Sequence, residues 1–216
     1  MDGETWISRE AFSRMLQATL PAGRTAPFDV RPYPPRIDLA VFVHRVKDMA
    51  PGLYVFVRDS GRRDRLRGAM RADFAWSPPE GCPDELPLYL LGELDCRSLA
   101  AQVSCLQEIA GDGAFSLGMI ADFDTSLREF GAWYYPRLFW EAGMIGQVLY
   151  LEAEAAGVRA TGIGCYFDDA VHDVFGLKGH AFQSLYHFTV GGAVDDPRIT
   201  GSPPYAAERR KRRGWV

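Results

Sequence analysis

The longest apolar run in the chain, residues 136–157, sets the strongest limit on its fold. Read from Tyr135 to Ala156 it predicts one helix, about 33 Å long at 1.5 Å per residue. Leu138, Phe139, Trp140, Met144, Ile145, Val148, Leu149 and Leu151 surround its axis, so the helix has to be covered nearly all round. A bilayer is the wrong cover, because Pro136, Arg137, Glu141, Glu152 and Glu154 interrupt the run. It is expected either at the centre of the fold or at a subunit interface. Gly143 and Gly146 lie on neighbouring positions of one face, where a sheet or a second copy could approach closely. Arg137 and Glu141, one turn apart, predict an ion pair on this apolar background, with Arg137 facing a bound ring as the alternative.

Composition narrows the function classes. The 216 residues are 47% hydrophobic and 24% charged, with a net charge of −4, which fits a globular chain and argues against a general nucleic-acid binder. Cys82, Cys96, Cys105 and Cys165 contain no C-x-x-C pair, and His44, His172, His180 and His187 contain no H-E-x-x-H, so no metal site is expected. The opening MDGETWISRE lacks the basic and apolar blocks of a secretory signal, giving the expectation of a cytoplasmic protein with reduced thiols and no membrane partner. The run Glu208-Arg209-Arg210-Lys211-Arg212-Arg213 reads as a solvated extension or an anion-binding arm.

The remaining pattern predicts an α+β fold. Ser8 can cap a helix over Ile7–Leu20, ended by Pro21, and residues 21–35 hold five prolines and form a loop. Ile37–Val46 and Leu53–Val57 predict two antiparallel strands, the first buried on both faces. Residues 62–72 are helix-compatible, and residues 77–87 form a second Pro-rich loop. Ser98–Ala110 predicts a helix stopped at Gly111-Asp112-Gly113, and Ala114–Phe123 a third strand. After the long helix, Gly157 is a stop, residues 158–168 are irregular, and Asp168 or Asp169 caps a short helix over 170–176. Phe182–Val190 is the last strand. The expected organisation is one domain over residues 1–200, with a helix and Pro-rich loop at 1–35, and a basic arm at 201–216. A mainly antiparallel sheet would be flanked by helices, with the long one at its centre.

The most informative segment is Thr161-Gly162-Ile163-Gly164-Cys165-Tyr166-Phe167-Asp168-Asp169. Its two glycines let main chain approach a flat ligand, or simply make a tight turn. With no third glycine opening a helix, it does not fit a dinucleotide fingerprint. Residues 141–177 and 182–192 together resemble the nitroreductase superfamily, most closely its SagB- and ThcOx-like dehydrogenase branch. The resemblance rests on Glu141, Ala142, Gly143, Gln147 and Leu151 in the helix, and on Gly162, Gly164, Asp168 and Asp169 in the loop. Gly176-Leu177, Val190-Gly191, Pro51-Gly52-Leu53-Tyr54 and Pro34–Val43 extend it across residues 34–192.

That resemblance implies a homodimer with FMN at its interface, oxidising or reducing a small molecule or a peptide natural product. Gly162, Ile163, Gly164 and Cys165 would meet the flavin ring, and Cys165 would be a packed thiol. The family's Arg-rich opening motif, which helps hold the phosphate, is absent, and so is the Ser of its "PSAGALYP" motif. Candidate replacement cations are Arg24, Arg31 and Arg36, with Arg198 and Arg209–Arg213 in the C-terminal arm. Glu129-Phe130 stand where the azoline-oxidising branch has Lys-Tyr, so that route to azoline oxidation is not expected. Trp133, Tyr134, Tyr135 and Trp140 could stack on a flavin or pack a core. His44 and His187 read as packed strand residues, and His172 as the one histidine near the loop. The competing expectations are a flavin-free relic kept for binding or dimerisation, and an anion-binding protein acting through its tail.

Overall fold

The computed structural model describes residues 1–21 and 26–201; Arg24 and the basic run 209–213 lie outside them. Its centre is β1 (Ile37–Val43), whose seven residues are all buried. Side chains alternate across a strand, so Ile37, Leu39, Val41 and Val43 enter one core while Ala40 and Phe42 enter the other. An apolar strand of this kind has to be covered on both faces and paired on both edges. β1 lies between β2 (Gly52–Phe56) and β4 (Phe115–Asp122), antiparallel to each. With β3 (Leu88–Glu93), β5 (Arg159–Ile163) and β6 (Phe182–Gly191) the sheet has six strands in the order β3-β2-β1-β4-β6-β5, every pair antiparallel.

On one face lie α1 (Arg9–Ala18) and α6 (Tyr135–Ala155). The Ser8 side chain caps α1 by accepting from the Ala11 amide at 3.1 Å, and Phe12, Met15 and Leu16 face inward. Pro136 stands in the first turn of α6, and Gly157, at φ 74°, follows its end. On the other face lie α2 (Arg63–Ala69), α3 (Arg97–Val103) and α7 (Asp168–Phe175), which closes on Gly176 at φ 75°. The α+β class with a mainly antiparallel sheet is as expected.

Several local expectations are corrected. Ser98–Ala110 is not one helix: α3 ends at Val103 and α4 (Ile109–Asp112) follows after a turn. Cys105 and Leu106 adopt left-handed φ values of 57° and 59° there, which no continuous helix allows. Residues 158–168 are not wholly irregular, because β5 pairs with β6 from Arg159↔Gly191 to Ile163↔His187. Phe167, not Asp168 or Asp169, takes the cap position of α7; both aspartates fall in its first turn. α5 (Phe123–Phe130) and β3 were not anticipated.

The expected Arg137–Glu141 pair does not form. Glu141 is fully buried and accepts from Arg58 Nη1 at 2.6 Å, with Arg31 Nη1 2.9 Å from its other oxygen. It also accepts from the amides of Arg36 (2.8 Å) and Ile37 (3.4 Å) at the entry to β1. The carboxylate turns inward because those amides and two guanidiniums lie there. Arg137 points along the helix instead, its guanidinium 3.5 Å from the centre of the Trp140 ring. A second buried acid, Asp38, accepts from the Arg58 amide at 2.7 Å and from Arg62 Nε at 3.1 Å. Replacing Glu141 by Ala leaves Arg31 and Arg58 without their counter-charge. The expected loss is about 3–5 kcal/mol in chemical denaturation, and a change below about 1 kcal/mol would show that the cluster does not hold α6 to the sheet.

Candidate functional site

The site is assembled where β5 ends beside the outer face of α6. Ala142, Ile145 and Leu149 bury the inner face of that helix, while Tyr135, Phe139, Gly143, Gln147 and Tyr150 are exposed at helical spacing. Thirteen large hydrophobic residues are exposed among the described residues; Trp133, Tyr135, Phe139, Trp140, Tyr150 and Leu151 are six of them. Six of the thirteen thus lie on one helix and its lead-in, a local concentration of exposed apolar side chains. A groove of about 220 Å³ runs across it, lined by Phe139, Ala142, Gly143, Gly146, Gln147, Tyr150 and Tyr186.

The glycines divide by what surrounds them. A Cβ on Gly162 would collide with Tyr186 Oη and come within 2.7 Å of its Cζ, so the sheet's own packing demands glycine there. The Gly162 amide donates to Tyr150 Oη at 2.8 Å, facing away from β6. Gly164 directly follows Ile163, the last residue of β5, at the open edge of the sheet. A Cβ on Gly164 or on Gly143 would meet nothing within 4 Å. Both face solvent, and neither glycine is required by packing within the chain.

The other expected ring contacts differ in kind. Ile163 points into the core on the opposite face of the sheet. Cys165 is exposed and disulfide-bonded to Cys105, with Cα atoms 5.8 Å apart. This corrects the expectation of reduced thiols and of a packed Cys165; Cys82 and Cys96 remain free. The turn between α3 and α4 brings Cys105 to the end of β5 across 60 residues of sequence, and no spacing motif announces that meeting.

None of the candidate cations within the described residues stands unmatched beside the loop. Arg36 is buried against Asp122 (3.4 Å) and Glu129. Arg198 is exposed and pairs with Asp196 at 2.6 Å, and Arg31 is held by Glu141. Arg137 stacks between Trp140 and Trp133, and its Nε and Nη1 are buried with no hydrogen-bond partner among the described residues. Tyr134 packs in the core, whereas Trp133, Tyr135 and Trp140 are on the surface.

A rigid polar centre supports the loop. Tyr166 stacks on His187 with ring centroids 4.6 Å apart. His187 Nδ1 lies 3.1 Å from Ser104 Oγ, and its Nε2 3.2 Å from Ser184 Oγ. Burial pushes the His187 imidazole down to about 4. His44 is also pushed down to about 4, by burial first, with its Nε2 3.1 Å from the Ala110 carbonyl. His172, on α7, is held below its ordinary range by burial.

A family model described as "Nitroreductase family" matches residues 2–192. No match was found among curated proteins. Solved structures share the fold at low identity. A putative nitroreductase from Anabaena variabilis ATCC 29413 is 20% identical at TM-score 0.66, over 89% of this chain and 35% of that one. A chain of the E. coli microcin synthetase McbBCD complex with truncated pro-MccB17 bound is 17% identical at TM-score 0.61, over 89% of this chain and 66% of that one. A putative nitroreductase from Ralstonia eutropha JMP134 is 18% identical at TM-score 0.56, over 90% and 81%. The chain therefore spans about a third of the length of the Anabaena protein.

Two outcomes follow from the packing. Gly162→Ala should cost about 1–3 kcal/mol in chemical denaturation, whereas Gly164→Ala should change stability by less than about 0.5 kcal/mol. Equal costs would contradict the division of the glycines. The histidines fix a pH dependence: between pH 6.5 and about 4 an unfolded imidazole binds a proton that buried His44 and His187 refuse. Stability should fall as pH drops through that window, by about 3 kcal/mol for each histidine, and level off below it. Urea titrations at stepped pH measure the slope, and His187→Gln should roughly halve it; an unchanged slope in that variant would count against a neutral buried imidazole.

Proposed function

The chain belongs to the nitroreductase family, and from that premise we propose that it works as an FMN-dependent oxidoreductase, with the flavin ring against Gly164 and Cys165 and a second copy of the chain over α6. The observation that carries this reading is Gly164 itself. It is a glycine that packing within the chain does not require, at the end of an edge strand beside an exposed aromatic face. A flat ring can rest on main chain only where no side chain projects. Bound FMN would supply hydride transfer. The Gly164 and Cys165 amides would hold and orient the ring, and Tyr150 and Tyr186 would keep the strand beneath it in place. The apolar face of α6, brought against its own copy about a twofold axis, would cover the groove and exclude water.

The ring platform fits; the expected phosphate clamps do not. Arg36 and Arg198 are each matched by carboxylates, so the phosphate's charge would fall to Arg137 or to the arm beyond residue 201. Those matched arginines favour a second reading, a nitroreductase-fold protein that carries no flavin and serves in binding or dimerisation. The substrate class we assign is a small molecule or a peptide. The likeness in fold to a chain of a synthetase complex that holds truncated pro-MccB17 supports the peptide.

Titration with FMN separates the two readings. Protein incubated with FMN and desalted should keep absorbance at about 450 nm. Gly164→Leu should lose it with an unchanged melting temperature. Protein that stays colourless under excess FMN points to the flavin-free reading, and a Gly164→Leu variant that retains flavin contradicts the placement of the ring.

A further inference from the structure

The Cys105–Cys165 bond ties the α3–α4 turn to the β5–α7 loop. Both sulfur-bearing residues reach solvent, Cys165 exposed and Cys105 partly so. Around them the main chain is fixed by contacts that do not pass through the S–S bond. Gln107 Nε2 donates to the Cys165 carbonyl at 3.0 Å, and the Phe167 amide donates to the Val103 carbonyl at 2.8 Å. Ser104, just before Cys105, and Tyr166, just after Cys165, dock on the same His187 ring. Cys105 and Leu106 both hold left-handed backbone, φ 57° and 59°. Non-glycine residues stay in that region only where their surroundings fix them, and the conformation presents the Cys105 side chain to Cys165.

A bond whose two ends are already held in place is not needed to keep them together. Opening it leaves two thiols facing each other at high effective concentration, ready to close again. We propose that Cys105–Cys165 is a reversible dithiol–disulfide centre that exchanges with low-molecular-mass thiols. The inference stands whether or not a flavin binds. In the reducing direction the thiolate of a small thiol attacks Sγ of Cys165, the more exposed residue of the two. A mixed disulfide forms as the protein S–S bond breaks, and Cys105 leaves as a thiolate that takes a proton from water. A second small thiolate attacks the small-molecule sulfur of the mixed disulfide, releasing Cys165 as a thiolate. The balance is two small thiols oxidised to one small disulfide, and one protein disulfide reduced to two thiols. Run backwards from the small disulfide, the same steps close the pair. Cys165 directly follows Gly164, so the exchanging sulfur sits beside the open glycine. Cys96 takes no part: it is buried, and burial pushes its thiol up to about 12.

The test uses the unsubstituted chain in its folded state. It is treated with dithiothreitol, alkylated with iodoacetamide without denaturant, and mapped by peptide mass spectrometry. Alkylation should appear on Cys105 and Cys165 only after reduction, in protein that still unfolds cooperatively by circular dichroism. Oxidised glutathione added after removal of the reductant should return both sites to the unlabelled state. In Cys105→Ser, oxidised glutathione should leave one glutathione on Cys165. The proposal is overturned if the bond opens only in denaturant, if the reduced chain loses cooperative unfolding, or if glutathione disulfide fails to re-close the pair.

Discussion

The carboxylate of Glu141 is the contact on which the arrangement of this protein depends. A charge with no access to water must be matched where it lies, and four donors converge on it: two guanidiniums, from Arg31 and Arg58, and the first two amides of the β1 region. That fixes three things together. α6 is pinned to the sheet at one height and one rotation. The entry to β1 is satisfied by a side chain, and the Pro-rich loop is drawn in through Arg31. Leu138, Ala142, Ile145 and Leu149 then meet the core on the same side of the helix.

The rotation fixed by Glu141 decides what faces outward. An apolar helix turned to bury its carboxylate must show water the opposite face, and that face carries Phe139, Gly143 and Tyr150. The edge strand β5 runs beside it, tied on by the hydrogen bond from Gly162 to Tyr150. The candidate site is thus a consequence of the core: the inner contacts hold the helix, and the outer face stays exposed. Glu141 is already taken up by Arg58, Arg31 and the two amides, and Arg137 stacks on indole rings instead.

Much of this was legible in the sequence because it rests on local pattern. The long helix, the doubly buried β1, the Ser8 cap and the stops at Gly157 and Gly176 each follow from residues within a few positions of one another. What escaped was set by distance in the chain. The disulfide joins residues 60 positions apart, and the partners of Glu141 lie 83 to 110 positions away: Arg58 at 141 − 58 = 83 and Arg31 at 141 − 31 = 110. A helical i, i+4 spacing suggested Arg137 for Glu141, but tertiary burial outweighed it. β5 is hard to read because Gly162 interrupts its pattern, and what demands that glycine is Tyr186, a partner on another strand. At the site, the sequence marked Gly162 and Gly164 alike; only the packing separates the glycine that the sheet requires from the one it leaves open.

On the reading proposed above, the bare face of α6 and the end of β5 receive a flat ligand under a second copy of the chain. A crystal structure of protein grown with FMN tests this most directly. Density for an isoalloxazine against the Gly164 and Cys165 main chain, with the α6 faces of two copies enclosing it, is the result expected. A structure in which that surface stays empty under saturating FMN and packs against no symmetric copy would contradict it.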